Sequence, residues 1–62
     1  MSQRNLKVIY RIEGYTLDGT LVMRRYAHDI KTARKIAKNI TGAVIKKMPK
    51  YSWQFINFDD VE

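Results

Sequence analysis

The 62-residue chain contains no cysteine, only one histidine and only three glycines. Without cysteine, the chain can form no disulfide, no thiolate metal site and no cysteine nucleophile. A single histidine excludes a multi-histidine metal site, and the scattered glycines exclude a glycine-rich loop that cradles phosphate. We therefore expect neither a metal nor any other cofactor.

Groups that could carry acid–base or nucleophilic catalysis are also sparse. Glu13, Asp18 and Asp29 fall in a predicted strand, turn and helix cap, and their spacing does not make them converge. Ser2 and Ser52 form no plausible grouping with the histidine and an acid. The sequence therefore predicts a binding protein and not an enzyme.

Long apolar runs are missing as well. None approaches the roughly 20 residues that cross a bilayer, and the N-terminus lacks the apolar core of a signal peptide. We expect a soluble, cytoplasmic protein with one domain over residues 1–62, frayed at residues 1–4 and 59–62. A domain this small buries only about 60% of its unfolded chain's surface, which favours a homodimer or a bound partner.

Acidic residues are few and unevenly placed. Twelve Lys and Arg oppose six Asp and Glu, which gives a formal net charge of +6. Three of the six acids lie in the last four residues, so residues 1–58 carry a formal charge of +9. This surplus favours a polyanionic partner, although a net charge of this size can also serve solubility alone.

Two alternating segments around a turn predict a β-hairpin. Residues 6–13 (LKVIYRIE) alternate as a half-buried strand does, Asp18-Gly19 favours a two-residue turn, and a second strand follows to Ala27. Facing residues then have numbers that sum to 37, which places Glu13 opposite Arg24. The predicted core face carries Leu6, Val8, Tyr10, Ile12, Leu21, Met23 and Ala27.

The opposite face of this hairpin is predicted to be open, basic and aromatic. Its residues are Lys7, Arg11, Glu13, Tyr15, Val22, Arg24, Tyr26 and His28. Arg25 is an exception, because it falls on the core side opposite Ile12. Either its side chain reaches the sheet edge, or a bulge near Gly14 shifts the register.

A helix is predicted after the hairpin. Asp29 is a suitable N-cap, apolar residues recur at helical spacing as far as Ile40, and Gly42 fits the C′ position. No acid lies on the helix after its cap, so the basic side lacks the i,i+4 partners that are usual on solvated helices. That side carries Lys31, Arg34, Lys35 and Lys38.

Two further strands complete the predicted α+β fold. Residues 43–48 predict a third strand, Pro49-Lys50 a turn, and residues 51–58 (YSWQFINF) a fourth strand. The expected topology is ββαββ, an antiparallel sheet with the helix packed on one face. The fourth strand is apolar on both sides, so it is covered, bulged near Phe55 or open to a partner.

The segment from Val8 to Ile40 resembles the N-terminal arm-binding domain of phage and transposon tyrosine integrases. The matching pieces are Tyr10-Arg11-Ile12, Asp18-Gly19, Arg24-Arg25 and Lys31-Thr32-Ala33-Arg34-Lys35. That family lays its sheet in the DNA major groove, so the resemblance implicates Arg11, Arg24 and Tyr26. The family normally has its third strand before the helix, whereas here a second hairpin is predicted after it.

Two functions follow as hypotheses. The favoured one is a small DNA-binding accessory or regulatory protein of phage or mobile-element type, with duplex DNA as its ligand. Its expected contacts are Lys7, Arg11, Arg24, Tyr26, His28, Lys31, Arg34, Lys35 and Lys38. The alternative is a protein-binding module or inhibitor that acts through a sheet edge or the aromatic fourth strand. That strand offers Tyr51, Trp53, Phe55 and Phe58, unless Trp53 and Phe55 simply complete the core.

Overall fold

A computed structural model describes residues 6–62 as a three-stranded antiparallel sheet with one α-helix. The predicted α+β class is therefore confirmed, but the ββαββ topology is wrong, because one strand and not two follows the helix. The elements are β1 (Tyr10–Tyr15), β2 (Leu21–Ala27), α1 (Ile30–Ala37), β3 (Val44–Lys47) and two 3₁₀ helices (Lys50–Phe55 and Phe58–Asp60).

The hairpin of β1 and β2 has the predicted register along most of its length. Pairing runs from Tyr10 with Ala27 to Gly14 with Met23, and β1 begins at Tyr10 and not at the predicted Leu6, so Leu6 and Val8 lie before the strand. The turn is a three-residue loop and not the predicted two-residue one, since the Thr16 N–H donates to the Thr20 carbonyl at 2.9 Å. Gly19 closes this loop with φ of +86°, a common three-residue hairpin form. A bulge after Gly14 then reconciles the loop with the register.

β1 is the central strand, with β2 on one side and β3 on the other. The helix packs on one face of this sheet, and the core there is formed by Ile12, Ala27 and Ala33. Leu21 and Met23, which were expected in this core, remain more than a third exposed. They lie on β2, an edge strand that the short helix covers only in part.

The helix begins as predicted and ends early. The Asp29 carboxylate accepts a hydrogen bond from the Thr32 N–H at 2.7 Å, which confirms the N-cap. The α-helix stops at Ala37, and the Ile40 N–H donates to the Ala37 carbonyl in a tighter turn. Gly42 is therefore not the C′ residue, although its φ of +69° is left-handed.

The predicted fourth strand is wrong, because residues 50–55 form a 3₁₀ helix. Local hydrogen bonds hold this helix: the Ser52 N–H and hydroxyl both donate to the Pro49 carbonyl, and the Gln54 side-chain amide donates to the Tyr51 carbonyl. A short side chain such as that of Ser52 offers the backbone an alternative to strand pairing. The strand propensity of the aromatic residues is overridden by these local bonds.

The C-terminal residues cross from the β3 edge of the sheet to the β2 edge. Val61 forms a parallel bridge with Tyr26, and the Glu62 N–H donates to the Tyr26 carbonyl at 2.9 Å. Contrary to the expected fraying of residues 59–62, Val61 is only 4% exposed; the same expectation for residues 1–4 lies outside the described residues. Ile9, whose carbonyl continues the β1–β3 ladder through Met48, is fully buried. The burial of Ile9 shows that the sheet face away from the helix is covered near the start of β1.

Candidate nucleic-acid interface

The sheet face away from α1 contains a buried carboxylate at its centre. Glu13 is 2% exposed, and its Oε1 accepts a hydrogen bond from the Tyr15 hydroxyl at 2.7 Å. Lys46 Nζ lies 3.2 Å from the same oxygen, and Arg11 Nε lies 2.7 Å from Oε2. Arg11 Nε forms no hydrogen bond, so its contact with Glu13 is ionic only.

These partners stabilise the charged form of Glu13. The Tyr15 hydrogen bond is the largest cause that lowers the pKa of Glu13, followed by Lys46 and Arg11, against burial, which raises it. The sequence placed Glu13 correctly opposite Arg24, but the carboxylate is paired with other cations. Lys46 could not be anticipated, because the position of β3 beside β1 was not deducible from local patterns.

The open face predicted for the hairpin is therefore only partly available. Arg11 is committed to Glu13, and Tyr26 is half-buried beside the C-terminal bridge. His28 Nδ1 lies 2.6 Å from the Glu62 carbonyl, and Nε2 lies 3.2 Å from Asp29 Oδ2. Within residues 6–62, Arg24 and Lys7 are exposed and form no ion pair.

Arg25 takes the first of the two positions expected for it. A bulge does lie near Gly14, as the second alternative expected, but it falls between Gly14 and Tyr15 and leaves Arg25 opposite Ile12. The side chain reaches the sheet edge, where its Nε donates to Glu62 Oε2 at 2.7 Å. Arg25 is therefore paired with an acid and contributes no free cation.

The strongest concentration of free positive charge is on α1. We call Lys31, Arg34, Lys35 and Lys38 the basic helix face; all four are exposed. The buried Ala33 and half-buried Ile36 and Ala37 lie toward the sheet. The four basic residues span roughly 10 Å of helix axis, and none is within ion-pair distance of an acid in the described part of the chain.

The structure divides the predicted contacts between two sides of the sheet. Ile12 and Ala27 face the helix, whereas Arg24 pairs with Glu13 on the other face. The basic helix face and the remaining hairpin cations consequently point in different directions. A flat ligand surface can therefore contact either the basic helix face or the hairpin cations, but not both.

The four aromatic residues of the alternative interface are also divided. Tyr51 and Phe55 are 80% and 83% exposed. Trp53 and Phe58 are half-buried and meet edge to face, with ring centroids 6.1 Å apart. The Trp53 Nε1–H donates to the Met48 carbonyl at 3.3 Å, so Trp53 supports the fold while Tyr51 and Phe55 remain available.

Other features of residues 6–62 add little chemistry. An open groove of about 470 Å³ lies between α1 and β2, with Met23, Ile36 and Ile40 among its lining residues. Arg25 and Glu62, at its rim, already pair with each other.

In the described range no three His, Asp or Glu side chains are grouped to hold a metal ion. No helix in that range is long and apolar enough to span a membrane.

Comparison with protein-family models, curated proteins and solved structures gave no match to this chain. The resemblance to the integrase arm-binding domain stays a prediction that rests on its own residues. Of the residues that it implicates, Arg11 is paired with Glu13 and Arg24 is free of ion pairs among residues 6–62.

Proposed function

We propose that this protein binds nucleic acid, duplex DNA most of all, and that the basic helix face holds the phosphate backbone. The observation that carries the proposal is a set of four exposed cations along α1 and its C-cap, none of which is within ion-pair distance of an acid in residues 6–62. Phosphate contacts from Lys and Arg supply most of the non-specific affinity for DNA. The proposed role is that of a non-catalytic accessory or regulatory protein.

The arrangement of charge on α1 argues against a role in solubility alone. Lys31 and Lys35, like Arg34 and Lys38, are like-charged pairs at i,i+4 spacing, which destabilise a helix. Surfaces that serve only solubility tolerate charges of both signs interspersed. From residue 30 to residue 58 the sequence has seven cations and no acid, and a bound polyanion would relieve this repulsion.

The hairpin face is the weaker candidate for the same ligand. Arg11 on the hairpin and Lys46 on the neighbouring β3 both neutralise the buried Glu13. Moving either one to a phosphate would leave a buried carboxylate with fewer partners, which is costly. The hairpin therefore contributes Arg24 and Lys7 at most, and the helix provides the primary contact.

A binding titration tests the proposal. We expect fluorescence anisotropy to detect binding of a labelled 20-base-pair duplex at about 50 mM salt and much weaker binding at about 200 mM. Four phosphate contacts predict a slope of roughly −3 to −4 in log K against log salt. A variant with Lys31, Arg34, Lys35 and Lys38 all changed to Gln should lose most of this binding.

Glutamine is a good helix former, so the far-ultraviolet circular dichroism of the variant should match that of the native chain. With folding controlled in this way, loss of binding reports on charge. Absence of duplex binding at low salt, or an unchanged salt slope in the four-site variant, would overturn the proposal.

A further inference from the structure

Two aromatic rings project into solvent from the first 3₁₀ helix. Tyr51 and Phe55 are 80% and 83% exposed, although the burial of large apolar side chains stabilises a fold. Between residues 45 and 62 they are the large apolar side chains that remain exposed. A small domain that leaves both outside its core has a surface suited to another molecule.

The backbone that carries these rings is held in place. Ser52 donates twice to the Pro49 carbonyl, at 3.0 Å from its N–H and 2.8 Å from its hydroxyl. Trp53, between the two rings in sequence, is fixed by Met48 and Phe58. Four residues of 3₁₀ helix separate the Cα atoms of Tyr51 and Phe55 by roughly 8 Å along the axis, which leaves room for a separate planar group on each ring.

Two cations lie on the N-terminal side of the rings, and two exposed acids, Asp59 and Asp60, follow in the second 3₁₀ helix. Lys47 ends β3 and Lys50 begins the 3₁₀ helix, and both are exposed. Neither forms an ion pair in the described part of the chain, although Lys50 Nζ lies 5.8 Å from the centre of the Trp53 ring. Exposed rings interleaved with cations fit a polyanion that also presents flat aromatic groups.

We infer that Lys47, Lys50, Tyr51 and Phe55 form a second site, which binds single-stranded nucleic acid by stacking unpaired bases on the two rings. Base–aromatic stacking is tolerant of sequence, and cations beside the rings follow the backbone. Both sites would bind nucleic acid, but the proposed function uses the basic helix face and duplex DNA, whereas this second site uses other residues and single strands. A lipid surface is less well matched, because interfacial binding depends on a continuous apolar helix face, whereas this six-residue 3₁₀ helix exposes two separate rings.

Labelled oligothymidylate of about 15 nucleotides, which remains unpaired, is the probe for this site. We expect Tyr51→Ala and Phe55→Ala each to weaken its binding by about fivefold or more, and Tyr51→Phe to retain it, because the ring is kept. Leu17→Ala is the matched control, since Leu17 is a fully exposed apolar residue at the hairpin loop. It should leave the affinity unchanged.

The outcomes separate this inference from the proposed function. Unchanged affinity in both alanine variants, or no binding of oligothymidylate by the native chain, overturns the second site whatever the duplex does. If the four-site helix variant loses duplex binding but keeps the native affinity for oligothymidylate, the result supports both sites. If vesicles containing phosphatidylglycerol bind in a Phe55-dependent manner while oligothymidylate affinity is insensitive to Phe55→Ala, the surface binds membranes and the inference is wrong.

Discussion

Glu13 is a buried carboxylate that joins two strands through three side chains. Tyr15 and Arg11 contact it from β1, and Lys46 contacts it from β3. Hydrogen bonds to a charged group contribute more to stability than neutral ones. We infer that Glu13 ties the edge strand β3 to the centre of the sheet, in addition to the backbone ladder.

Replacing this carboxylate should weaken the fold. Glu13→Gln removes the charge that Lys46 and Arg11 neutralise, and we expect the free energy of unfolding to fall by about 2 kcal/mol. Urea denaturation at neutral pH measures the change. Arg24→Gln, which alters a neighbouring cation outside this network, is the control and should leave the midpoint within experimental error.

The same residue predicts a loss of stability in acid. Because the pKa of Glu13 is lowered below its ordinary value of 4.5 in the folded protein, its contribution is present above that value. It is lost as the pH falls through the folded pKa. Denaturation curves between pH 6 and about pH 3 should show a shallower pH dependence for Glu13→Gln than for the native chain.

Some acid sensitivity should remain in that variant. The pKa values of Asp18 and Asp29 are also lowered, mainly by hydrogen bonds from Thr16 and from the Thr32 N–H respectively. Identical pH profiles for the native chain and Glu13→Gln would show that Glu13 does not carry the effect assigned to it.

At the scale of elements, local signals decide how much was predictable. The β1–β2 pairing was predictable because alternation and an Asp-Gly turn lie within 20 residues, and Asp29 marks the helix start by its own side chain. The C-terminal segment was not, since its apolar residues suit a strand and its 3₁₀ helix depends on bonds from Ser52 and Gln54. Strand order was also beyond reach, because β3 pairs with β1 across a helix.

The N-cap of α1 gives a direct test at this scale. Asp29→Ala leaves the Thr32 N–H without its acceptor, so we expect Tm to fall by about 5 °C. Asp29→Asn keeps an oxygen that can accept this bond and should stay close to the native Tm. Equal melting temperatures for Asp29→Ala and the native chain would contradict the cap seen in the structure.

At the scale of the whole molecule, the sheet separates two charged surfaces. On one side is the basic helix face, whose four residues were predicted from sequence because they share a helix face with no acid. On the other side is the hairpin face, where prediction failed for Glu13, because its carboxylate pairs with Lys46 of β3, whose position local patterns do not give. The candidate site is therefore narrower than the nine predicted residues.

The same substitution on each side of the sheet tests the central claim, that the helix holds the phosphates, most directly. Arg34 and Arg24 are both exposed and free of ion pairs within residues 6–62. We predict that Arg34→Gln lowers affinity for the 20-base-pair duplex several-fold and reduces the salt slope by about 1, while Arg24→Gln changes neither. A reduced slope in Arg24→Gln together with a native slope in Arg34→Gln would place the DNA on the hairpin and contradict the claim.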